Sequence, residues 1–275
     1  MLTQYVNPPL NRLRISGMIK TTNFPLVWIT GASTGIGRAL AVKLAAHGSK
    51  VVVSARNQEK LCTLAAEAQS LAGDIFAIPL DVTDKERVKH AYSAITRDYG
   101  IPDLCVLNAG TYIPMDAAIF SADTFAKQID INWMGVVHAL DAIIPDLVDR
   151  GSGRIAVVGS VSGYRGLRTA AAYGATKAAL INMCETLHME LADYGIKVQI
   201  VNPGFINTPL TAKNDFRMPS LMPVEKAANA LHRGLLSDRF EITFPMRFTW
   251  MVKLMRLLPY AIYLPLISWV TKKKS

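Results

Sequence analysis

The stretch L-V-W-I-T-G-A-S-T-G-I-G, Leu26 to Gly37, decides the architecture. Its first five residues form a continuous apolar run, as expected of a strand covered on both faces. Three glycines follow at once, and then a helical pattern, R-A-L-A-V-K-L-A-A. Gly31 allows the tight turn, Gly35 lets a ligand approach the backbone, and Gly37 lets the helix pack close to the strand. Ser33, Thr34 and Ile36 complete the turn. A glycine-rich strand-to-helix turn of this kind admits a pyrophosphate against backbone N–H groups and a helix N-terminus.

Outward from this turn, short β-branched runs alternate with longer helical patterns. The strands predicted are Leu26–Thr30, Lys50–Ala55, Ile75–Pro79, Leu104–Leu107, Arg154–Gly159, Lys197–Val201 and Phe240–Thr243. Helices are predicted near 35–47, 57–72, 84–98, 122–149, 168–194 and 223–236. This alternation predicts an α/β fold: one doubly wound parallel sheet of about seven strands, helices on both faces, right-handed crossovers. No Pro/Gly/Ser linker divides residues 25–245, which read as a single domain. Residues 1–24 form an N-terminal extension in which Met18 is a second plausible start. Residues 246–275 form an apolar, basic C-terminal extension.

With 51% apolar and 19% charged residues, the chain buries a core and does not read as disordered. Its net charge of +9 sits at the ends. Arg12, Arg14 and Lys20 precede residue 25; Arg247, Lys253, Arg256, Lys272, Lys273 and Lys274 follow residue 244, and neither end holds an acid. The body between them carries 21 basic and 21 acidic residues, so no nucleic-acid partner is expected. Basic residues beside apolar ones fit an anionic membrane surface better. The longest uncharged stretch there, Leu257–Thr271, is 15 residues, short of the ~20 a spanning helix needs. Cys62, Cys105 and Cys184 are scattered without a C-x-x-C pair and read as buried free thiols of a reducing, cytoplasmic compartment.

Two further features carry chemistry. Tyr173 and Lys177 stand four apart in A-A-Y-G-A-T-K, thirteen residues after Ser160. On a helix, that spacing points both side chains into one space. A nearby ammonium is expected to lower the phenol pKa toward neutrality, where the phenol exchanges a proton with a carbonyl or alcohol oxygen. The second strand ends S-A-R-N, Ser54 to Asn57, with no acid to bind a ribose 2′-hydroxyl. Arg56 can instead pair with a 2′-phosphate, so NADP(H) is favoured over NAD(H).

In these residues the chain resembles the short-chain dehydrogenase/reductase family over about residues 25–245. Thr30 to Gly37 matches its T-G-x-x-x-G-x-G turn. Asp81-Val82 matches the acidic turn after the third strand, which implies that both lie beside the adenine. Asn108-Ala109-Gly110 matches N-A-G after the fourth strand, with Asn108 steadying the loop. Asn202-Pro203-Gly204 with Thr208 matches the P-G loop, implying that Pro203, Gly204 and Thr208 hold the nicotinamide end. The resemblance implies Asn132, Ser160, Tyr173 and Lys177 as the catalytic set. Tyr173 is the general acid, Ser160 steadies the substrate oxygen, Lys177 tunes the tyrosine and bonds the nicotinamide ribose, and Asn132 holds a water linking Lys177 to solvent. One departure stands out: many NADPH-preferring relatives carry a basic residue where this chain has Thr34. Arg56, helped by Arg38, is therefore expected to hold the phosphate.

The activity implied is NADPH-dependent reduction of a ketone, aldehyde or 3-oxoacyl group. An extended-type epimerase or dehydratase fits the glycine spacing less well, and a non-catalytic NADP(H) sensor conflicts with the intact catalytic set. Loops 111–115, 161–167 and 205–222 should bound the substrate pocket. Their side chains, Tyr112, Ile113, Met115, Tyr164, Phe205, Phe216 and Met222 among them, suit a hydrophobic, lipid-like molecule. By analogy with relatives the chain is expected to form a homodimer or homotetramer. For the tail, peripheral membrane contact, a subunit contact and a flap over the pocket mouth all remain open.

Overall fold

The computed structural model describes residues 24–213 and 218–271. The expectations that fall on residues 1–23, on Phe216 and on Lys272–Lys274 lie outside the described residues.

Seven strands form one parallel sheet: β1 (Leu26–Thr30), β2 (Lys50–Ala55), β3 (Asp74–Pro79), β4 (Leu104–Leu107), β5 (Gly153–Val158), β6 (Ile196–Pro203) and β7 (Glu241–Phe244). Their order is β3-β2-β1-β4-β5-β6-β7, and every neighbouring pair is parallel. The order reverses between β1 and β4, and a crevice opens at such a point beyond the carboxyl ends of the strands. Alternate residues of a strand feed opposite layers, because successive side chains point to opposite faces. Val27 and Ile29 pack in one core layer and Leu26 and Trp28 in the other. The first layer is filled from α1 (Gly35–Ala46), α2 (Gln58–Glu67) and α7 (Val224–Leu235) through Leu40, Leu44, Leu61, Leu64, Leu231 and Leu235. The second is filled from α3 (Lys85–Tyr99), α5 (Gly135–Arg150) and α6 (Ala171–Ala192) through Val88, Ile95, Ile143, Leu147, Leu180 and Cys184.

Three helices differ from their predicted extents. The 57–72 pattern ends its α-helix at Glu67 and finishes in a 3-10 turn, Ala68–Ser70. The 168–194 pattern begins its helix only at Ala171, because Thr169 sits at φ +58°, outside helical geometry. The 122–149 pattern is interrupted: α4 (Ala122–Ile129) passes through a π-helical turn, Asp130–Met134, into α5. By length and composition the helical run Ala122–Arg150 is, among the described residues, the one stretch able to cross a membrane. Its buried apolar residues Val136, Ala139, Leu140, Ile143 and Leu147 pack in the second core layer.

Beyond β7 the chain forms two further helices, α8 (Met246–Arg256) and α9 (Tyr260–Val270). Phe248 and Val252 of α8 are buried in the second core layer. Cys105 and Cys184 are buried as expected, whereas Cys62 is exposed. It lies on α2, most of whose surface faces solvent.

Candidate active site

A cavity of about 480 Å³ opens at the switch point between β1 and β4. The strand ends and the loops after them line it, from Ala55–Asn57 through the glycine turn to Ser160, Tyr173 and Lys177. Of the residues singled out in the sequence, Gly31, Ser33, Thr34, Gly35, Ile36, Arg56, Asp81, Val82, Asn108, Ala109, Gly110, Ser160, Tyr173, Lys177, Pro203, Gly204 and Thr208 all line it. Gly37 and Asn132 stand behind the wall.

The glycine turn is built for close approach. Gly31 and Gly35 adopt φ +68° and +59°, where a side chain is strained. A Cβ on Gly31 would stand 2.6 Å from the Ala109 backbone, and one on Gly35 3.2 Å from Thr208. Gly37 leaves room both for the backbone just after β1 and for a contact not anticipated from the sequence. Its Cβ would meet the Asn108 side-chain amide at 2.5 Å and the Gly31 carbonyl at 2.8 Å, so it admits the loop after β4. Asn108 uses that room to donate from Nδ2 to the carbonyls of Thr30 and Gly31, at 3.1 and 2.9 Å. It thus holds the glycine turn to the loop after β4.

Helix α1 begins without a partner of its own. In α2, α3 and α4 the caps Asn57, Asp84 and Ser121 each accept a backbone N–H of the first turn. Thr34 makes no such bond, and the first turn of α1 contains no acid. The positive end of the α1 dipole therefore faces the cavity uncompensated. With the open cradle at Gly31 and Gly35, this donor set fits a dinucleotide pyrophosphate.

At the β2 end of the cavity Arg56 is exposed and lines the wall. Arg38, expected to assist it, is paired with Glu67 of α2 and lies outside the lining. That ion pair takes up its charge, so the basic lining at this end is Arg56. Asp81 caps its own turn by accepting from the Thr83 N–H and hydroxyl, at 3.1 and 2.9 Å.

At the other end, Ser160 follows β5 and Tyr173 and Lys177 lie in the first turns of α6. Gly163 sets their distance: a Cβ there would stand 2.7 Å from the Lys177 backbone. The Ser160 N–H donates to Asn202 Oδ1 at 3.1 Å, and its Oγ accepts from the Ser162 N–H at 3.1 Å. The Ser160 side chain favours the ionised form of Tyr173, whose ring packs edge-on against Tyr112, centroids 5.1 Å apart. Lys177 is only 3% exposed, donates to the Val158 carbonyl at 2.8 Å and has its Nζ 5.6 Å from the Tyr173 ring centre.

The expected fall in the Tyr173 pKa does not occur. Burial pushes the phenol up to about 12, against a smaller lowering by Ser160. Burial also pulls Lys177 down to about 8. Desolvation is the leading cause of both shifts, and the Lys177 ammonium spends a donor on the Val158 carbonyl.

Asn132 sits in the π-helical turn, fully buried. Its Oδ1 accepts from the Thr111 N–H at 2.7 Å, and its Nδ2 donates to the Thr111 carbonyl at 2.9 Å and to Thr176 Oγ1 at 3.2 Å. The side-chain amide thereby fixes the loop after β4 to α6.

Several anticipated pocket residues face elsewhere. Tyr112, Val161, Leu167, Phe205, Ile206 and Leu210 line the cavity, but Ile113, Met115, Tyr164, Met218, Leu221 and Met222 do not. Met222 pairs with Ile206 in a β-bridge, and Tyr164 donates to Glu241. Glu241 was missed in the sequence. Its carboxylate also accepts from Asn202 Nδ2 at 2.7 Å and pairs with Lys253 of α8. Burial pushes this carboxyl up, but the bonds from Lys253, Tyr164 and Asn202 outweigh it and hold it below the ordinary range. A lone acid on an edge strand carries no local signal of that role.

Residues 25–218 match the family model described as short chain dehydrogenase. The chain belongs to the short-chain dehydrogenase/reductase family. Within that family it is 34% identical over 235 residues to an uncharacterized oxidoreductase of Myxococcus xanthus, covering 86% of this chain and 93% of the relative. Its fold matches a short-chain dehydrogenase from Sphingobium yanoikuyae in complex with NADPH, with TM-score 0.75, 27% identity, and 86% and 97% of the two chains covered. It also matches a 3-ketoacyl-(acyl-carrier-protein) reductase from Brucella melitensis complexed with NADH, with TM-score 0.72, 26% identity and 79% and 94% covered. The chain is thus a nucleotide-binding oxidoreductase of a family acting between CH–OH and C=O.

Proposed function

We propose that this short-chain dehydrogenase/reductase reduces a carbonyl of a hydrophobic substrate with NADPH. The observation that carries this reading is the convergence of the glycine turn, Arg56, Ser160, Tyr173 and Lys177 on one cavity. When bound, the nicotinamide supplies the hydride. The residues supply binding and the proton. The α1 N-terminus and the Gly31–Gly37 turn hold the pyrophosphate, and Arg56 pairs with a 2′-phosphate in a ribose pocket without a competing acid at the end of β2. Tyr173, its pKa raised to about 12, is protonated at neutral pH and placed to donate to the substrate oxygen. Ser160, its backbone fixed by Asn202, bonds the same oxygen and stabilises the negative charge that develops there. Lys177, with a pKa of about 8, is mostly an ammonium at pH 7 and stabilises the phenolate left after donation. Asn132 acts as a positioning residue by clamping Thr111 to α6. Apolar Val161, Leu167, Phe205, Ile206 and Leu210 at this end of the cavity suit an apolar ketone or acyl chain.

The test is a panel of hydrophobic ketones and 3-oxoacyl thioesters, followed by the loss of NADPH absorbance. Tyr173→Phe should abolish turnover and leave NADPH affinity within about threefold, since it removes only the acid. Arg56→Ala should lower kcat/KM for NADPH by about tenfold or more while leaving NADH nearly unchanged. A wild-type enzyme that prefers NADH refutes the cofactor reading. Tight NADPH binding with no turnover on any substrate refutes the reductase reading.

A further inference from the structure

Helix α9 is apolar on nearly every side and yet stands in the open. Tyr260 and Trp269 are 71% and 77% exposed, and Ile262, Leu264 and Val270 are more than half exposed. Of its residues only Tyr263 is buried. A helix hydrophobic all round belongs in a protein core or in lipid. Trp250, Leu254 and Leu257, in and just after α8, extend the exposed apolar surface. Such a continuous patch marks an interaction site.

We propose that α8 and α9 dock on an anionic lipid bilayer, lying in its interface. Each helix has 11 residues, about 16 Å of rise, against a hydrocarbon core of ~30 Å, so neither spans it. Exposed Trp and Tyr favour the headgroup level. The charge selects the lipid: residues 245–275 carry six basic residues and no acid, and Arg247 and Arg256 are exposed. Each such cation near an anionic surface contributes about 1 kcal/mol. The same charge disfavours a second copy of the chain as the occupant. An isologous contact sets a patch against itself and would bring these cations together with no acid in either tail.

The patch is also fastened to the cavity wall. Arg165 donates to the carbonyls of Arg256 and Leu258, at 2.8 and 3.1 Å, and stacks over Tyr260 and Tyr263. Tyr263 donates to the Gly166 carbonyl at 2.8 Å, and Arg168 to Ser268 at 2.8 Å. Leu167 and Arg168, in this same segment, line the cavity. Docking would therefore set the cavity's Leu167 side next to lipid, from which an apolar substrate could enter. That last step rests on the reductase reading; the docking does not.

The test is flotation of the full chain with vesicles of phosphatidylcholine alone or mixed with phosphatidylserine. Wild type should float with the mixed vesicles, more weakly with phosphatidylcholine, and less as salt screens the cations. The double variant Trp250→Glu, Trp269→Glu alters two exposed side chains and should keep its melting temperature and NADPH affinity. It should lose about tenfold or more of its vesicle partitioning. Failure of NADPH-binding wild type to float with anionic vesicles overturns the proposal without touching the reductase reading, as does equal flotation of the variant. A wild-type dimer that this variant dissociates, with no flotation by either, assigns the patch to a second copy instead.

Discussion

Replacing Lys177 by Met should leave the unliganded protein nearly as stable at pH 7 and markedly less stable than wild type at pH 9.5. Lys177 is 3% exposed, and burial lowers its pKa from 10.5 to about 8. Between those two values the unfolded chain binds more protons at this position than the folded one, so stability rises with pH across that window and is flat below it. At 1.36 kcal/mol per unit, holding the ammonium in the fold costs about 3 kcal/mol at pH 7. By pH 9.5 the folded-state lysine is almost wholly neutral, and about 2 kcal/mol of that cost has gone. Methionine removes the cost at every pH but leaves the Val158 carbonyl without its 2.8 Å donor, a loss of about 1–3 kcal/mol. The two effects roughly cancel at pH 7; at pH 9.5 the lost hydrogen bond dominates.

Urea unfolding of both proteins at pH 7 and pH 9.5 measures this directly. Groups common to both cancel in the difference, and pH 9.5 stays below the point where Tyr173, whose raised pKa acts with the opposite sign, begins to destabilise the fold. The wild-type advantage should grow by about 2 kcal/mol between the two conditions. A difference that does not change with pH refutes a depressed Lys177 pKa. With it would go the argument that this lysine is held as an ammonium against a desolvation cost.

Gly31→Ala should cost about 2 kcal/mol or more in urea unfolding and abolish nucleotide binding, because it combines φ +68° with a 2.6 Å backbone clash. Gly35→Ala has the same kind of strain but meets only the end of Thr208, so it should cost about half as much. Equal costs would refute the assignment of the tighter contact to Gly31. Glu241→Gln should destabilise by about 1–2 kcal/mol at pH 7, discounted for the partial exposure of Lys253, and lower kcat by loosening Asn202 from Ser160. Since the Glu241 carboxyl is held below its ordinary range, its contribution is present above the ordinary glutamate pKa and is lost as pH falls through the folded value. The gap between wild type and variant should therefore narrow in acid; a gap that widens there refutes the assignment.

What could be read from the sequence, and what could not, divides by range. The strands were readable because short runs such as V-V-V-S-A are apolar on both faces and end at turns. The glycine turn was readable because three glycines stand directly between an apolar run and a helical pattern, although the contacts that require them come from Ala109, Thr208 and Asn108. The π-helical turn at Asp130–Met134 was not, since one extra residue in a turn barely disturbs the periodicity of a 29-residue helical run. In the tail, Pro259 and Pro265 look like breakers; Pro259 instead caps the start of α9, and Pro265 lies within its second turn. The Tyr173 pKa went the wrong way for a related reason: the spacing to Lys177 can be counted, but the burial around both cannot. Glu241 marks the limit. Its carboxylate ties Tyr164, Asn202 and Lys253, three residues from three separate segments, and through Asn202 it reaches the Ser160 backbone. The same carboxylate joins the tail to the site, because Lys253 belongs to α8 and Tyr164 begins the segment that carries Arg165. Local sequence thus specifies the groups that line the cavity, while the network that holds them to α8 exists only once β6 and β7 have paired.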